Sequence, residues 1–242
     1  MSEASDIKIG VSACILGDEV RYNGGHKLDA LVRDTLGALV QLIPVCPEVE
    51  VGMGVPRPPV NLVRIGKSVR MVNPASGTDH TEAMNAWSTR RVEELAHEGL
   101  CGFVAQARSP SCGMERVKIH DDDGTPADNG RGLFTAALMA RLPNLPVEEG
   151  ERLHDPHLRE SFIARVFATR RLRDLFARPW SIRELVAFHD SEKPLILAHD
   201  RNIHDKLGRL VASANTRSKK KLAEQYQALV MAALSSGKAP SR

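Results

Sequence analysis

The chain has 242 residues, enough for one large domain or two modest ones that each bury a core. Its 42% hydrophobic and 26% charged residues are ordinary for a globular protein, and no run approaches the roughly 20 apolar residues of a membrane-spanning helix. The net charge of +3 divides unevenly: residues 1–150 carry 15 Lys+Arg against 20 Asp+Glu (−5), and residues 151–242 carry 18 against 10 (+8), so the last third offers a basic surface to an anionic partner, an acidic neighbour or solvent.

Residues 1–6 hold neither the basic nor the apolar region of a secretion signal, so a cytoplasmic chain is expected. The apolar run at 7–11 is of strand length and ends in Ser12-Ala13-Cys14. A loop with Arg21, Tyr22, Asn23, Gly24, Gly25, His26 and Lys27 follows, then Leu28, Leu31, Val32 and Leu36 at helical spacing. A second strand at 39–45 ends in Cys46-Pro47-Glu48, and a connection of this length between apolar strands suits a parallel sheet.

Residues 47–59 hold too many prolines and glycines for regular structure and read as an ordered loop over a site. Segments 61–64 and 69–72 flank Gly66-Lys67-Ser68 as a hairpin; that triplet lacks the upstream glycine and strand-to-helix context of a phosphate-binding loop. A helix is expected over 79–98, capped by Thr78 or Asp79, with Met84, Trp87, Val92 and Leu95 inward and Gly99 as its stop. The third strand runs through Phe103, Val104 and Ala105 into Arg108-Ser109-Pro110-Ser111-Cys112-Gly113. Another strand is expected at 116–120, and Asp121-Asp122-Asp123-Gly124 makes a turn without the ligand positions of a calcium loop.

A helix over 133–142 leads to a Pro- and Gly-bearing boundary at 143–150, giving domains 1–148 and 149–242. The expected fold is α/β: a Rossmann-like domain with a mostly parallel sheet, then a smaller all-helical domain with helices at 156–176, 181–190, 194–214 and 218–234. Only the last few residues read as disordered.

The cysteines at 14, 46, 101 and 112 are even in number, but a reducing cytosol argues for metal or catalysis rather than disulfides. In an open parallel sheet, ligands bind beyond the carboxyl ends of the strands, so Cys14, Cys46 and Cys112 would meet there. Structural zinc generally takes four ligands, often with closely spaced cysteine pairs, and this chain has no such pair. An iron–sulfide cluster tolerates dispersed thiolates, and three of them leave one iron of a four-iron cluster without a protein ligand. Cys101 begins the third strand, up to roughly 30 Å of extended chain from Cys112, and reads as a small buried hydrophobe. Burial in the core is the plainer alternative for Cys14, Cys46 and Cys112. Glu48 lies two residues after Cys46, where a carboxylate would orient or deprotonate water unless it is simply a surface residue. Ser109 would hydrogen-bond a leaving atom or relay a proton, and Ser111 would support sulfide ligands.

Ser12-Ala13-Cys14 with 21–27, Cys46-Pro47-Glu48 with Gly52-Met53 and Pro56-Arg57, and Ser109-Pro110-Ser111-Cys112-Gly113 together resemble the thiouracil desulfidase family over roughly residues 7–145. The resemblance implies a [4Fe-4S] cluster on Cys14, Cys46 and Cys112, with the remaining iron open to the sulfur of a small thiolated pyrimidine, 2-thiouracil, 4-thiouracil or a thiolated nucleotide. It implies further that Glu48 activates water, that Ser109 assists proton transfer, and that no net electron transfer occurs. Ser111, His26, Lys27 and Arg57 are further candidates for substrate contact. Residues 150–235, with Phe188-His189, Lys193, Ala198-His199 and 207–212, resemble the uncharacterised helical domain often fused to that family, here in a shortened version.

Two other readings remain. The pairs His154-Asp155, His189-Asp190, His199-Asp200 and His204-Asp205 suggest a metal-dependent phosphohydrolase, although no two pairs share a helix face at i, i+4 spacing and caps or exposed faces explain them more simply. Alternatively the helical domain binds thiolated RNA through Arg170, Arg171, Arg173, Arg178, Arg217 and Lys219-Lys220-Lys221.

Overall fold

The computed structural model describes residues 7–121 and 126–235. Contacts divide the chain into two compact units, 1–154 and 155–242. The division falls later than the boundary drawn at 148/149, because a short strand and the turn after it pack with the first unit.

In chain order the first unit holds β1 (Lys8–Ser12), β2 (Gln41–Val45), α1 (Pro47–Glu50), β3 (Asn61–Ile65), β4 (Ser68–Val72), α2 (Thr81–His97), β5 (Leu100–Ala105), β6 (Val117–His120), β7 (Pro126–Gly130), α3 (Leu133–Arg141) and β8 (Val147–Glu149). One sheet has the order β2-β1-β5-β8 and every pairing in it is parallel. The apolar runs of β1 and β5 are buried on both faces, as parallel strands require. The second sheet, β4-β3-β6-β7, is mixed: antiparallel hairpins β3–β4 and β6–β7 are joined by a parallel β3–β6 pairing. Phe134 of α3 is fully buried with ring centroids 5.4 Å from Trp87 and 5.5 Å from Phe103, tying both long helices to β5.

Several local expectations change. Instead of an ordinary helix from Leu28, a short π-helix spans Leu31–Leu36, opened by Asp29 Oδ1, which accepts from the amides of Leu31 and Val32. Within the Pro- and Gly-rich loop after Cys46 the chain makes the single turn α1, because Pro47 stands at its first position, where a missing N–H costs nothing. Helix α2 starts at Thr81 rather than 79, since Asp79 Oδ1 accepts from the Thr81 amide while its other oxygen holds Arg70 at 2.6 Å. Gly99, at φ +74°, ends the turn after α2 as expected. The residues Asp122, Asp123 and Gly124 of the acidic turn, and residues 236–242, lie outside the described residues.

The second unit is helical: α4 (Pro156–Phe176), α5 (Ile182–His199), α6 (Arg201–Ala212) and α7 (Lys219–Ser235). Its core gathers Leu172, Leu185, Ile196, Leu207, Leu222 and Tyr226. Helix α5 passes through Pro194 without the break expected between 190 and 194. The turn before the proline is held by Glu192, buried and ion-paired with Arg171 of α4 at 2.7 and 2.8 Å; the break falls at Asp200, whose carboxylate caps α6. The start of α5 is a reciprocal cap: Ser181 Oγ accepts from the Glu184 amide, and Glu184 accepts from the Ser181 amide. Ser181→Ala removes that acceptor and is expected to lower stability by about 1 kcal/mol in urea denaturation.

Of the basic residues expected to meet RNA, Arg170 pairs with Asp174, Arg171 with Glu192 and Arg178 with Glu184, while Lys219 lies over the Trp180 ring at 5.3 Å. Those contacts leave a smaller free cationic surface than the sequence suggests. Among the described residues no helix is long and apolar enough to cross a membrane.

Candidate active site

The strand order β2-β1-β5 places three carboxyl ends side by side, with neighbouring strands about 4.8 Å apart. From the central strand the chain enters a short 3-10 turn, Ala13–Leu16, which carries Cys14. On one side Cys46 stands immediately before α1, its amide donating to Glu50 Oε1 at 3.0 Å. On the other side β5 leads through Arg108, at φ +59°, into the loop ending at Cys112. All three cysteines line one cavity of about 450 Å³, with Ser12, Glu48, Arg57, Ser109 and Ser111 also in its wall.

The Cys112 loop is fixed from several directions. Ser109 Oγ accepts from the amides of Ser111 and Cys112, and the Gly113 amide donates to the Ser109 carbonyl, closing a tight turn. The first amides of α3, otherwise unpaired, donate to the loop's carbonyls: Leu133 to Pro110, and Phe134 and Thr135 to Ser111. Gly132 permits this docking, because a Cβ there would stand 2.4 Å from the Ser111 carbonyl carbon. Thr135 Oγ1 completes the clamp by donating to the Cys112 carbonyl at 2.6 Å.

Glu48 projects from the first turn of α1. Its Oε2 is held by Arg57 at 2.6 Å, and the same guanidinium donates to the carbonyls of Gly54 and Val20 at 2.8 and 2.9 Å. Arg57 is only 8% exposed, so one buried cation ties the carboxylate to both neighbouring loops. Glu48 Oε1 accepts from Ser111 Oγ at 2.6 Å, and Ser111 Oγ lies 3.1 Å from Ser109 Oγ. Glu48 and Ser109, expected to act as a pair, are thus joined through Ser111.

The thiols have environments that oppose their ionisation. Burial, followed by the neighbouring Cys46, pushes Cys14 up to about 11. Burial also raises Cys46 and, most strongly, Cys112, which Cys14, Glu48 and Cys46 push further in the same direction. Among the described residues, no three His, Cys, Asp or Glu side chains converge as ligands of one metal ion. Cys101 sits inside β5, fully buried and outside the cavity, with its thiol 3.6 Å from the Gly99 carbonyl.

The remaining candidates separate. Lys27 lines the cavity beside Arg21 and Tyr22, whereas His26 does not; it accepts from the Leu28 amide at 3.2 Å. The His-Asp pairs have local roles. Asp155 and Asp200 cap helices, His154 bonds Asp29 at 2.9 Å, His189 meets Tyr226 at 3.2 Å, and Asp190 holds Lys193. His204 bonds its own neighbour, Asp205, at 3.0 Å, and among the described residues no three His, Cys, Asp or Glu side chains converge as the metal site of a phosphohydrolase requires. Sequence reasoning assigned no structural role to Arg57, and placed Ser111 beside sulfide rather than beside Glu48. The arginine between Pro56 and Pro58 in a cavity loop was the available signal.

Comparison with known proteins adds the following. A family model described as 2-thiouracil desulfurase matches residues 9–150, and a second, described as a protein of unknown function (DUF1722), matches residues 193–242. The uncharacterized protein YbbK of Bacillus subtilis (strain 168) is 29% identical over 147 residues, covering 58% of this chain and 95% of that protein. A solved structure described as the [4Fe-4S]-dependent thiouracil desulfidase TudS aligns with a TM-score of 0.53 at 32% identity, covering 65% of this chain and 99% of the other.

Proposed function

Because the chain belongs to the 2-thiouracil desulfurase family, we propose that it replaces the sulfur of a thiolated uracil with the oxygen of water, releasing uracil and hydrogen sulfide. The observation that carries this reading is the meeting of Cys14, Cys46 and Cys112 in one cavity with Glu48 and Ser109.

The donor set fits a [4Fe-4S] cluster better than a lone ion. In a cubane each thiolate binds a different iron, so three thiols around a cavity suffice without converging on a point. The likeness to a [4Fe-4S]-dependent desulfidase supports the same assignment. When bound through the three cysteines, the cluster supplies an iron without a protein ligand, a Lewis acid for the substrate's sulfur.

The chain's own residues supply the proton chemistry. Glu48 Oε1 accepts from Ser111 and keeps a second lone pair with which to take a proton from water. Arg57 fixes that carboxylate by holding its other oxygen, so the base meets water in one orientation. Ser109 assists transfer of a proton toward the departing sulfur. Water in and hydrogen sulfide out leave the ring carbon's oxidation state unchanged, so the reaction needs no external reductant. Anaerobically reconstituted protein should release sulfide from at least one of 2-thiouracil, 4-thiouracil and a thiolated nucleotide; failure on all three refutes the reading.

In the helical unit a groove of about 480 Å³ is lined by Lys206, Arg209 and Arg217 over Leu210 and Leu229, which supports an anionic partner such as thiolated RNA. RNA affinity is expected to fall steeply between about 50 and 200 mM salt, and salt-independent binding would remove RNA as the partner of this groove.

A further inference from the structure

We propose that Ser111 is a positioning residue that carries the proton taken by Glu48 onward to Ser109, an inference that rests on the desulfidase reading. The distances form an unbroken chain: Ser111 Oγ is 2.6 Å from Glu48 Oε1 and 3.1 Å from Ser109 Oγ. Ser111 is 1% exposed, so bulk water does not compete for its hydroxyl.

The polarity of this chain follows from counting protons. A hydroxyl has one hydrogen, and a carboxylate has none to give. Ser111 therefore spends its hydrogen on Glu48, and between the two serines Ser109 must donate. The Ser109 oxygen also accepts the amides of Ser111 and Cys112, which hold it in place. In the resting state every hydroxyl hydrogen in the chain points toward Glu48.

Capture of a proton by Glu48 reverses that arrangement. As water gives a proton to Glu48 Oε1, its oxygen bonds the ring carbon and the C=S electron pair moves onto sulfur. The carboxylic acid now has a hydrogen to donate, and the freely rotating hydroxyls turn to pass it on. Glu48 gives its proton to Ser111, Ser111 gives its own to Ser109, and Ser109 gives its own to the sulfur. The new C–OH then gives its proton to the Glu48 carboxylate as the carbonyl forms and the C–S bond breaks, and the same relay passes that second proton to the departing hydrosulfide, so water and thiocarbonyl become carbonyl and hydrogen sulfide. The relay moves protons only after water has been deprotonated, which couples activation of the nucleophile to protonation of the leaving group.

The docked loop explains why this serine stands there. The carbonyls of Pro110 and Ser111 are held by the first amides of α3, and the Cys112 carbonyl is held by Thr135. Replacing the Ser111 side chain leaves those backbone bonds in place. Ser111→Ala should therefore keep wild-type iron and sulfide content and an unchanged thiouracil affinity by equilibrium dialysis, while kcat falls about 100-fold with KM within about twofold. A proton inventory in mixed H2O and D2O should be bowed for the wild type and linear for Ser111→Ala. Ser111→Thr, which keeps a hydroxyl, should restore most of kcat. A Ser111→Ala kcat within twofold of wild type overturns the relay, and so does loss of iron, which would make the hydroxyl a cluster support instead. An inactive wild type defeats the desulfidase reading itself; an active wild type beside an equally active Ser111→Ala defeats the relay alone.

Discussion

Cys14→Ala, Cys46→Ala and Cys112→Ala are each expected to lose the visible charge-transfer absorbance, most of the iron and all turnover after anaerobic reconstitution, whereas Cys101→Ala keeps all three. The contrast follows from place in the fold. The three ligand candidates follow the carboxyl ends of adjacent parallel strands and line one cavity, while Cys101 lies within β5 with no exposed surface. With three protein thiolates already the minimum for a cubane with one open iron, removal of any one leaves two irons without protein ligands. Trimming Cys101 to alanine removes one sulfur atom from a packed interior and acts on stability alone. Retention of cluster by all three cavity variants would make the assignment wrong.

Glu48→Gln is the second substitution with a large expected effect: full cluster content and a fall in kcat of about 10²–10⁴, the range of a lost general base. Glutamine keeps the shape of the side chain and still accepts from Ser111 or Arg57, but its amide cannot take a proton from water. Alanine is the poorer probe. The Arg57 and Glu48 side chains are only 4% and 13% exposed, and removing one partner of a buried pair costs about 3–5 kcal/mol through the charge left behind. Retention of activity by Glu48→Gln would transfer the role of base to another group in the cavity.

How much of this was readable in advance depended on sequence distance. Apolar runs ending in Cys14, Cys46 and Cys112 announce strands that stop at thiols, because strand period and the turn residues after it are local signals. The order β2-β1-β5, which brings those ends together, is a set of pairings between distant segments that no local pattern encodes. The second sheet shows the same limit: both flanking strands of the 61–72 hairpin were legible, yet the parallel pairing of Leu62 with Ile119 was not. The contacts of Arg57 and Ser111 with Glu48 were not legible for a related reason. Each gains its role from Glu48, nine and 63 residues away in the chain, through contacts that exist only once the loops have docked. In the helical unit the pattern of residues around Pro194 suggested a break, and packing of Glu192 against Arg171 overrode it.

The most direct measurement follows uracil and sulfide together when cluster-loaded protein meets a thiolated uracil anaerobically, in H2-18O and without reductant. Equal amounts of the two products, with 18O in the uracil carbonyl and none formed by iron-free protein, is the expected result. Products that appear only with added reductant, that lack the label, or that form equally well without iron would contradict water-driven desulfuration at the three-cysteine cavity.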